Sequence, residues 1–192
     1  ASIYLSAKRM YEIITQIMNS SRIEEGKMHL EISNFSISEL ARNVYDSFTF
    51  LASSKKQKLI LKNELKENLI ITSDKLKMTG ILENLISNAL KYSPIESTVI
   101  INLSQKNNKI RFEIIDSGPG LTEDDKKKLF KKYSKTSATP TNGESSTGLG
   151  LYIVKTFSEM SHGQLWAENN ERNGARFIFE LPINIKEKKL AI

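Results

Sequence analysis

The sequence contains no cysteine, only 2 histidines and only 4 prolines. The absence of cysteine excludes a disulfide framework and a thiolate metal site, and two histidines in unrelated contexts argue against an imidazole metal site. No run of roughly 18 apolar residues could span a bilayer, and the N-terminus lacks the order of a signal peptide. We therefore expect a cytoplasmic domain without a structural metal, whether or not its parent protein is anchored in a membrane.

The composition that is present is that of one globular domain with a short appendage. The chain has 192 residues, of which 39% are hydrophobic and 26% charged. Domains of roughly 100 to 200 residues typically form one hydrophobic core. The formal charge of +6 could serve nucleic acid, acidic lipid or a lysine-rich surface. The densest lysine clusters, within 126–132 and 186–189, are not built as a single-strand binding groove with interleaved aromatic residues. We therefore predict a solvated basic surface and no nucleic-acid partner.

Apolar residues near the N-terminus recur at alternating steps of four and three. They are Ile3, Ala7, Met10, Ile14 and Ile17. This spacing predicts an amphipathic helix with a seam that needs a partner. We expect the partner to be a second chain, through a homodimer over residues 3–21, or a segment missing from this sequence. Docking of the seam on the chain's own core is the alternative.

Capping signals and periodicity predict the remaining elements. Ser36 with Glu39 forms a capping box, Asp74 can cap a second helix, and Ser93-Pro94 ends that helix. Strands are predicted over 28–32, 58–61, 69–72, 99–103, 110–114, 164–168 and 175–181, and helices over 36–51, 74–92, 122–130 and 149–160. Residues 134–147 have no apolar period and predict a mobile loop. The alternation indicates an α+β fold, a two-layer sandwich with one mixed sheet.

Three separated segments carry residues suited to binding an anionic ligand. Asn84, Asn88 and Lys91 share one face of a helix by their spacing, although a polar stripe can also be a solvent side. Asp116 ends an apolar strand just before two glycines, where a carboxylate could accept from an exocyclic amine or simply begin a turn. The segment 146–151 precedes a helix, where free N–H groups and glycines suit phosphate. It matches neither a Walker A loop nor a dinucleotide fingerprint.

Together these segments resemble sensor histidine kinases. Asn84-Leu-Ile-Ser-Asn88-Ala-Leu-Lys91-Tyr92 is similar to the N box of that family, Asp116-Ser-Gly118-Pro-Gly120 to the G1 box, Leu129-Phe130 with Tyr133 to the F box, and Thr147-Gly148-Leu149-Gly150 to the G2 box. The order and spacing of the motifs match, and the similarity covers nearly the whole chain. The resemblance implies the GHKL ATP-binding fold, shared with gyrase-type, heat-shock and mismatch-repair ATPases, with three main helices on one face of the sheet.

The resemblance also implies a role for each motif residue, with ATP and Mg²⁺ as the cofactors. Asp116 would receive the adenine amine, Asn88 would ligate Mg²⁺ that bridges the phosphates, and Lys91 and Tyr92 would contact phosphate or ribose. Gly148 and Gly150 would let the loop wrap the triphosphate, and Lys135 would reach the γ-phosphate. The other motif residues expected at the nucleotide are Gly118, Gly120, Phe130, Thr147 and Leu149. Catalysis would rest on Asn84, Lys91 and Lys135.

Asn84 favours a kinase over a hydrolase. The ATPase relatives have a glutamate at this position to activate water, and a neutral amide is a poor general base near pH 7. Glu83 is rotated by about 100° around the helix and should point elsewhere. The phosphoryl group would then pass to a histidine on a dimerisation helix and from there to a response regulator. We predict that His29 and His162 are structural or surface residues, so that this chain alone does not label itself.

The expected organisation is therefore a dimerisation helix over 1–25, an ATP-binding catalytic domain over 26–185 and a basic tail over 186–192. Ser146 stands where the family pattern has its first G2 glycine, which motivates an alternative: a degenerate nucleotide-binding module that regulates a partner. A GHKL ATPase or serine kinase is a further alternative. Asn84 and the N-terminal seam count against that last class.

Overall fold

The computed structural model describes residues 2–65, 68–141, 144, 146–171 and 173–184, without the side chains of residues 2–6, 8, 9 and 12. The predicted basic tail, with Lys186, Lys188 and Lys189, lies outside the described residues. The helices are α1 Ser2–Glu24, α2 Ile37–Ser54, α3 Lys75–Tyr92, α4 Glu123–Lys128 and α5 Gly150–Met160. The strands are β1 Ile32–Ser36, β2 Lys58–Asn63, β3 Ile70–Asp74, β4 Thr98–Lys106, β5 Lys109–Ile115, β6 Gln164–Asn169 and β7 Ala175–Pro182.

Five strands form one mixed sheet in the order β2-β4-β5-β7-β6. Strand β2 runs parallel to β4, and the other neighbours are antiparallel. Alternate residues of β4 and β5 are buried, because successive side chains of a strand point to opposite faces. Helices α2, α3 and α5 cover this buried face with their apolar sides. The predicted α+β sandwich with a mixed sheet is confirmed.

Side-chain hydrogen bonds fix the starts of α2 and α3 at the two capping residues that the sequence predicts. The hydroxyl of Ser36 accepts from the N–H of Glu39 at 3.2 Å, and the carboxylate of Asp74 accepts from the N–H of Lys77 at 2.9 Å. Burial alone would raise the pKa of Asp74, but hydrogen bonds from Lys77 and Glu31 outweigh it and lower the pKa. An ionised acceptor suits the positive end of α3, since the helix dipole favours negative charge there.

The strand predicted over 28–32 is wrong: β1 begins only at Ile32. It pairs with β3 in a separate two-stranded antiparallel sheet, in which Ile32 lies opposite Asp74, the last residue of β3. Residues 27–31 therefore extend past the end of their partner strand. The N–H of Glu31 donates instead to the Asp74 carboxylate at 2.8 Å. A contact with a residue so distant in sequence overrides the local alternation.

Helix α1 leaves its predicted seam in solvent. Met10, Ile14 and Ile17 are 62%, 52% and 52% exposed, so these seam residues do not dock on the chain's own core. The side chain of Ile3 is not among those that the structure describes. A neighbouring face of the same helix turns toward the domain, where Ser20 is buried and Ile23 packs against the core. Among the described residues, no helix has the length and hydropathy needed to cross a membrane.

Candidate functional site

A cavity of about 540 Å³ lies between α3, the loop after β5, the segment 134–147 and the start of α5. Most of the residues that the sequence motifs singled out line its wall. They are Asn84, Asn88, Lys91, Tyr92, Asp116, Gly120, Lys135, Thr147, Gly148 and Gly150. Residues separated by more than sixty positions are thus brought to one concave surface, as expected of a small-molecule site.

Three of the residues expected at the nucleotide do not reach the cavity wall. Gly118 is buried behind Asp116 and donates its N–H to the Oδ1 atom of that residue at 2.8 Å. Leu149 is 1% exposed within the core. Phe130 packs half-buried against the core, with the Nζ atom of Lys155 5.7 Å from its ring centroid. These residues shape and support the wall without facing a ligand.

Asp116 presents a buried carboxylate to the cavity. Its Oδ1 atom accepts from the N–H groups of Gly118 at 2.8 Å and Ala175 at 2.9 Å. Burial raises the pKa of Asp116 above its ordinary value, although these two hydrogen bonds act to lower it. Both bonds use the same oxygen, so no hydrogen bond from the described residues engages Oδ2. That oxygen can accept from a ligand N–H such as an exocyclic amine.

The two asparagines of α3 are joined to each other and to the start of α5. The Nδ2 atom of Asn88 donates to the Oδ1 atom of Asn84 at 3.1 Å, which leaves the amide oxygen of Asn88 as an acceptor. A Cβ atom added to Gly150 would lie 2.5 Å from the Nδ2 atom of Asn84. A side chain at position 150 would therefore displace the amide of Asn84, which occupies that space.

The N-terminus of α5 offers unsatisfied backbone donors. No side chain caps this helix, and the N–H of Leu149 is taken by the hydroxyl of Thr147 at 3.2 Å. Gly150 and Leu151, in the first turn, line the cavity. The first N–H groups of a helix have no partner within the helix and carry its positive dipole end, which suits an anion. Gly148 leads into this turn with φ +71° and no room for a Cβ atom.

Three lysines add positive charge to the cavity wall. The Nζ atom of Lys91 lies 5.5 Å from the ring centroid of Tyr92, and Lys135 is exposed at the rim. Sequence reasoning missed the third, Lys55, at the C-terminal cap of α2. Its Nζ atom is buried and donates to the carbonyl oxygen of Leu90 at 2.8 Å. No motif marks Lys55, because only the packing of α2 against α3 brings it to the site.

The segment predicted as a mobile loop is tied to its surroundings at several points. Both the N–H and the hydroxyl of Ser137 donate to the carboxylate of Asp125, at 2.8 and 2.7 Å. Thr141 donates to the carbonyl oxygen of Lys91 through its N–H and its hydroxyl, each at 3.0 Å. No helix or strand occurs in the described part of 134–147. Its mobility stays a prediction.

Helix α1 also contributes to the cavity, which the sequence did not suggest. Ile13 and Gln16 line the wall, and the Oε1 atom of Gln16 accepts from the hydroxyl of Thr147 at 2.5 Å. Since each residue advances a helix by about 100°, Ile13 lies at the edge of the seam and Gln16 lies more than a quarter turn from Met10, Ile14 and Ile17. The apolar periodicity marks the stripe, and no pattern in the sequence marks Ile13 and Gln16 as part of a site.

Three residues that the sequence predicts to lie away from the site, Glu83, His29 and His162, do not line the cavity. Glu83 is exposed and does not line the cavity, in agreement with its predicted rotation. His29 and His162 are both exposed and also outside the cavity wall. Among the residues that the structure describes, no group of three His, Cys, Asp or Glu side chains could hold a metal ion by itself. A cation at this site would need additional oxygen ligands from a small molecule bound in the cavity.

Known proteins share both the sequence pattern and the fold. The family model described as histidine kinase-, DNA gyrase B- and HSP90-like ATPase matches residues 73–185, more than half of the chain. The autoinducer 2 sensor kinase/phosphatase LuxQ of Vibrio harveyi is 29% identical over 190 residues, which cover 96% of this chain and 22% of LuxQ. The chain thus spans about a fifth of the length of that relative.

Solved structures agree with this match. The nucleotide-free catalytic domain of the histidine kinase ThkA aligns with a TM-score of 0.71 and 29% identity, covering 80% of this chain and 97% of that domain. ThkA in complex with the response regulator protein TrrA aligns with a TM-score of 0.72 and 25% identity, covering 91% of this chain and 49% of ThkA. With the cavity formed by the same motifs, the chain belongs to the family of histidine kinase-, DNA gyrase B- and HSP90-like ATPases.

Proposed function

We propose that this chain is the ATP-binding catalytic domain of a sensor histidine kinase, which transfers the γ-phosphoryl group of Mg-ATP to a histidine on a dimerisation helix of the parent protein. The observation that supports this most directly is the convergence of Asn88, Asp116 and Gly148 on one cavity. Asp116 would supply an acceptor for the base, Asn88 an oxygen for the metal, and Gly148 a glycine-lined approach to free N–H groups. Such a set suits phosphoryl transfer, which depends on positioning and charge neutralisation.

The ligand would lie with its adenine amine at the Oδ2 atom of Asp116 and its phosphates at the start of α5. Lys91 and Lys135 would balance the phosphate charge, and Tyr92 would contact the ribose or a phosphate. Magnesium prefers oxygen ligands and keeps several waters, and the amide oxygen of Asn88 fits it, since the nitrogen of that amide is committed to Asn84. When bound, Mg²⁺ supplies positive charge that neutralises the phosphates.

Asn84 supports transfer to a protein over hydrolysis. It has a neutral amide in contact with Gly150 and Asn88, and such a group cannot act as an effective base toward water near pH 7. The exposed Glu83, away from the cavity wall, does not replace it. The phosphoryl acceptor is therefore proposed to be a histidine other than His29 and His162.

The further partners follow from the same proposal. A response regulator would accept the phosphoryl group from the histidine, as the complex of ThkA with a response regulator supports. The exposed seam of α1 would pack in a homodimer through residues 3–21, because Met10, Ile14 and Ile17 leave apolar surface in water.

Calorimetric titration with Mg-ATP tests nucleotide binding. We expect wild-type binding and a loss of about 30-fold or more in Asp116→Asn, because the amide cannot satisfy both its neighbouring N–H groups and the ligand amine as the carboxylate does. Asp124→Asn, an exposed carboxylate on α4 outside the cavity, is the matched control and should bind like the wild type. A wild-type chain that binds no nucleotide favours the degenerate regulatory module.

Radiolabelled ATP tests the direction of transfer. The chain alone should not become labelled, and label should appear on an acceptor-helix domain that carries a histidine when that domain is added. Label on this chain alone would contradict the exclusion of His29 and His162. Release of inorganic phosphate without any acceptor would instead favour a GHKL ATPase.

A further inference from the structure

An ion pair on the cavity wall joins α2 to the segment 134–147. The Nζ atom of Lys55 lies 3.0 Å from the Oε1 atom of Glu144, and it also donates to the carbonyl oxygen of Leu90. The side chain of Lys55 is 5% exposed, whereas that of Glu144 is 37% exposed. A buried ammonium needs compensating acceptors, and Glu144 supplies the charged one.

Glu144 faces the same space as the proposed ligand. Among the described residues that line the cavity, the charged side chains are those of Lys55, Lys91, Lys135, Asp116 and Glu144. Asp116 has a place in base recognition, but a second carboxylate has none in binding a polyanion. A cavity of about 540 Å³ is about one Debye length across, roughly 8 to 10 Å at physiological ionic strength. A charge on its wall is therefore incompletely screened from a ligand inside it.

We propose that Glu144 is an internal competitor of the nucleotide phosphates, which neutralises Lys55 in the empty cavity and weakens binding in proportion to the negative charge of the ligand. This inference rests on the proposed function. When a phosphate enters, Lys55 exchanges the carboxylate for a phosphate oxygen and keeps its hydrogen bond to Leu90. Glu144 thereby determines how strongly the site discriminates between nucleotides that differ only in their phosphates.

A purely structural role for the pair gives the opposite result. If Glu144 only fastens the segment 134–147 to α2, its neutralisation loosens the cavity wall. Binding would then weaken for every ligand that uses the cavity, including uncharged adenosine. The dependence on ligand charge separates the two roles, because a loosened wall does not respond to the number of phosphates.

The experiment is a titration of adenosine, AMP, ADP and ATP, without Mg²⁺, into the wild type and Glu144→Gln. We expect adenosine affinity to stay within about twofold and ATP affinity to rise about five- to tenfold, with AMP and ADP between them. The gain for ATP should shrink at high salt, since screening removes the repulsion. Glu159→Gln, an exposed carboxylate paired with Lys155 on α5 outside the cavity, is the matched control and should change nothing.

The outcomes distinguish this inference from the proposed function. A wild-type chain that binds none of the four ligands overturns the proposed function and the inference with it. A wild-type chain that binds ATP, together with a Glu144→Gln variant that shifts all four affinities equally or weakens ATP, overturns the inference alone. Thermal unfolding of both variants checks that the domain remains folded.

Discussion

Asn84 lies so close to the first residue of α5 that two elements of the site depend on one missing methyl group. The hypothetical Cβ atom at Gly150 overlaps the amide of Asn84. By contrast, Gly80 in the middle of α3 has no heavy atom within 4 Å of its hypothetical Cβ atom. The two glycines differ in what surrounds them, although both occur in helices, and they therefore form a matched pair for substitution.

We predict that Gly150→Ala weakens Mg-ATP binding about tenfold, because it displaces the amide of Asn84 and with it the hydrogen bond to Asn88. Gly80→Ala should leave binding unchanged and raise the free energy of unfolding by about 0.5 to 1 kcal/mol, since alanine is the better helix former. Calorimetry and urea denaturation of both variants measure the two effects. Unchanged affinity in Gly150→Ala would show that the position of Asn84 is not critical to the site.

Helix α4 is short, and its start is fastened by a carboxylate that also holds the segment 134–147. Asp125 accepts from Thr122 at the helix start and from Ser137 in the segment. Burial would raise the pKa of Asp125, but the hydrogen bonds from Ser137 and Thr122 outweigh it and hold the pKa well below its ordinary value of 3.8. The folded protein thus keeps this group ionised in acid that protonates it in the unfolded chain.

Because the folded-state pKa of Asp125 is depressed, its contribution to stability is complete above the ordinary carboxyl value and is lost as the pH falls toward the folded-state pKa. We predict that Asp125→Asn lowers the free energy of unfolding by about 1 to 2 kcal/mol at pH 7. The difference from the wild type should shrink as the pH falls below 3.8. Urea denaturation at pH 7 and pH 3 measures it, with Asp124→Asn as the exposed control. An equal difference at both pH values would contradict this linkage.

At the scale of the whole molecule, the net charge of +6 conceals local compensation. Each lysine in the basic last turn of α4 pairs with an acidic residue three positions earlier. The pairs are Lys126 with Glu123, Lys127 with Asp124 and Lys128 with Asp125, at 2.7, 3.6 and 3.8 Å. The pairs of Glu123 and Asp124 lie at the surface, so the last turn of α4 presents mixed charge to solvent.

We predict that the chain does not bind duplex DNA measurably at physiological salt, because a partner would need unpaired lysines that neutralise several phosphates at once. Fluorescence anisotropy of a labelled duplex, titrated with the chain at several salt concentrations, tests this. Tight binding with a steep salt dependence would show that the charge serves nucleic acid after all.

The parts of the molecule that sequence predicts are those fixed by near neighbours. The caps at Ser36 and Asp74 form across three residues, and Asn84 and Asn88 share a face through helical spacing, so local patterns suffice. The contacts of Lys55 with Glu144 and of Gln16 with Thr147 join segments 89 and 131 residues apart and carry no motif. The limits of β1 likewise depend on where its partner strand ends. These features become visible only when the chain is folded.

Helix α1 has a consequence for how the molecule assembles. Its exposed apolar stripe, with Met10, Ile14 and Ile17, and Gln16 on the cavity wall point in different directions. In the proposed homodimer, two copies would cover their stripes against each other, and Gln16 would stay on the side of its own cavity. We therefore expect that ligand affinity does not depend on protein concentration, so that a concentrated sample and a dilute one should saturate along the same curve.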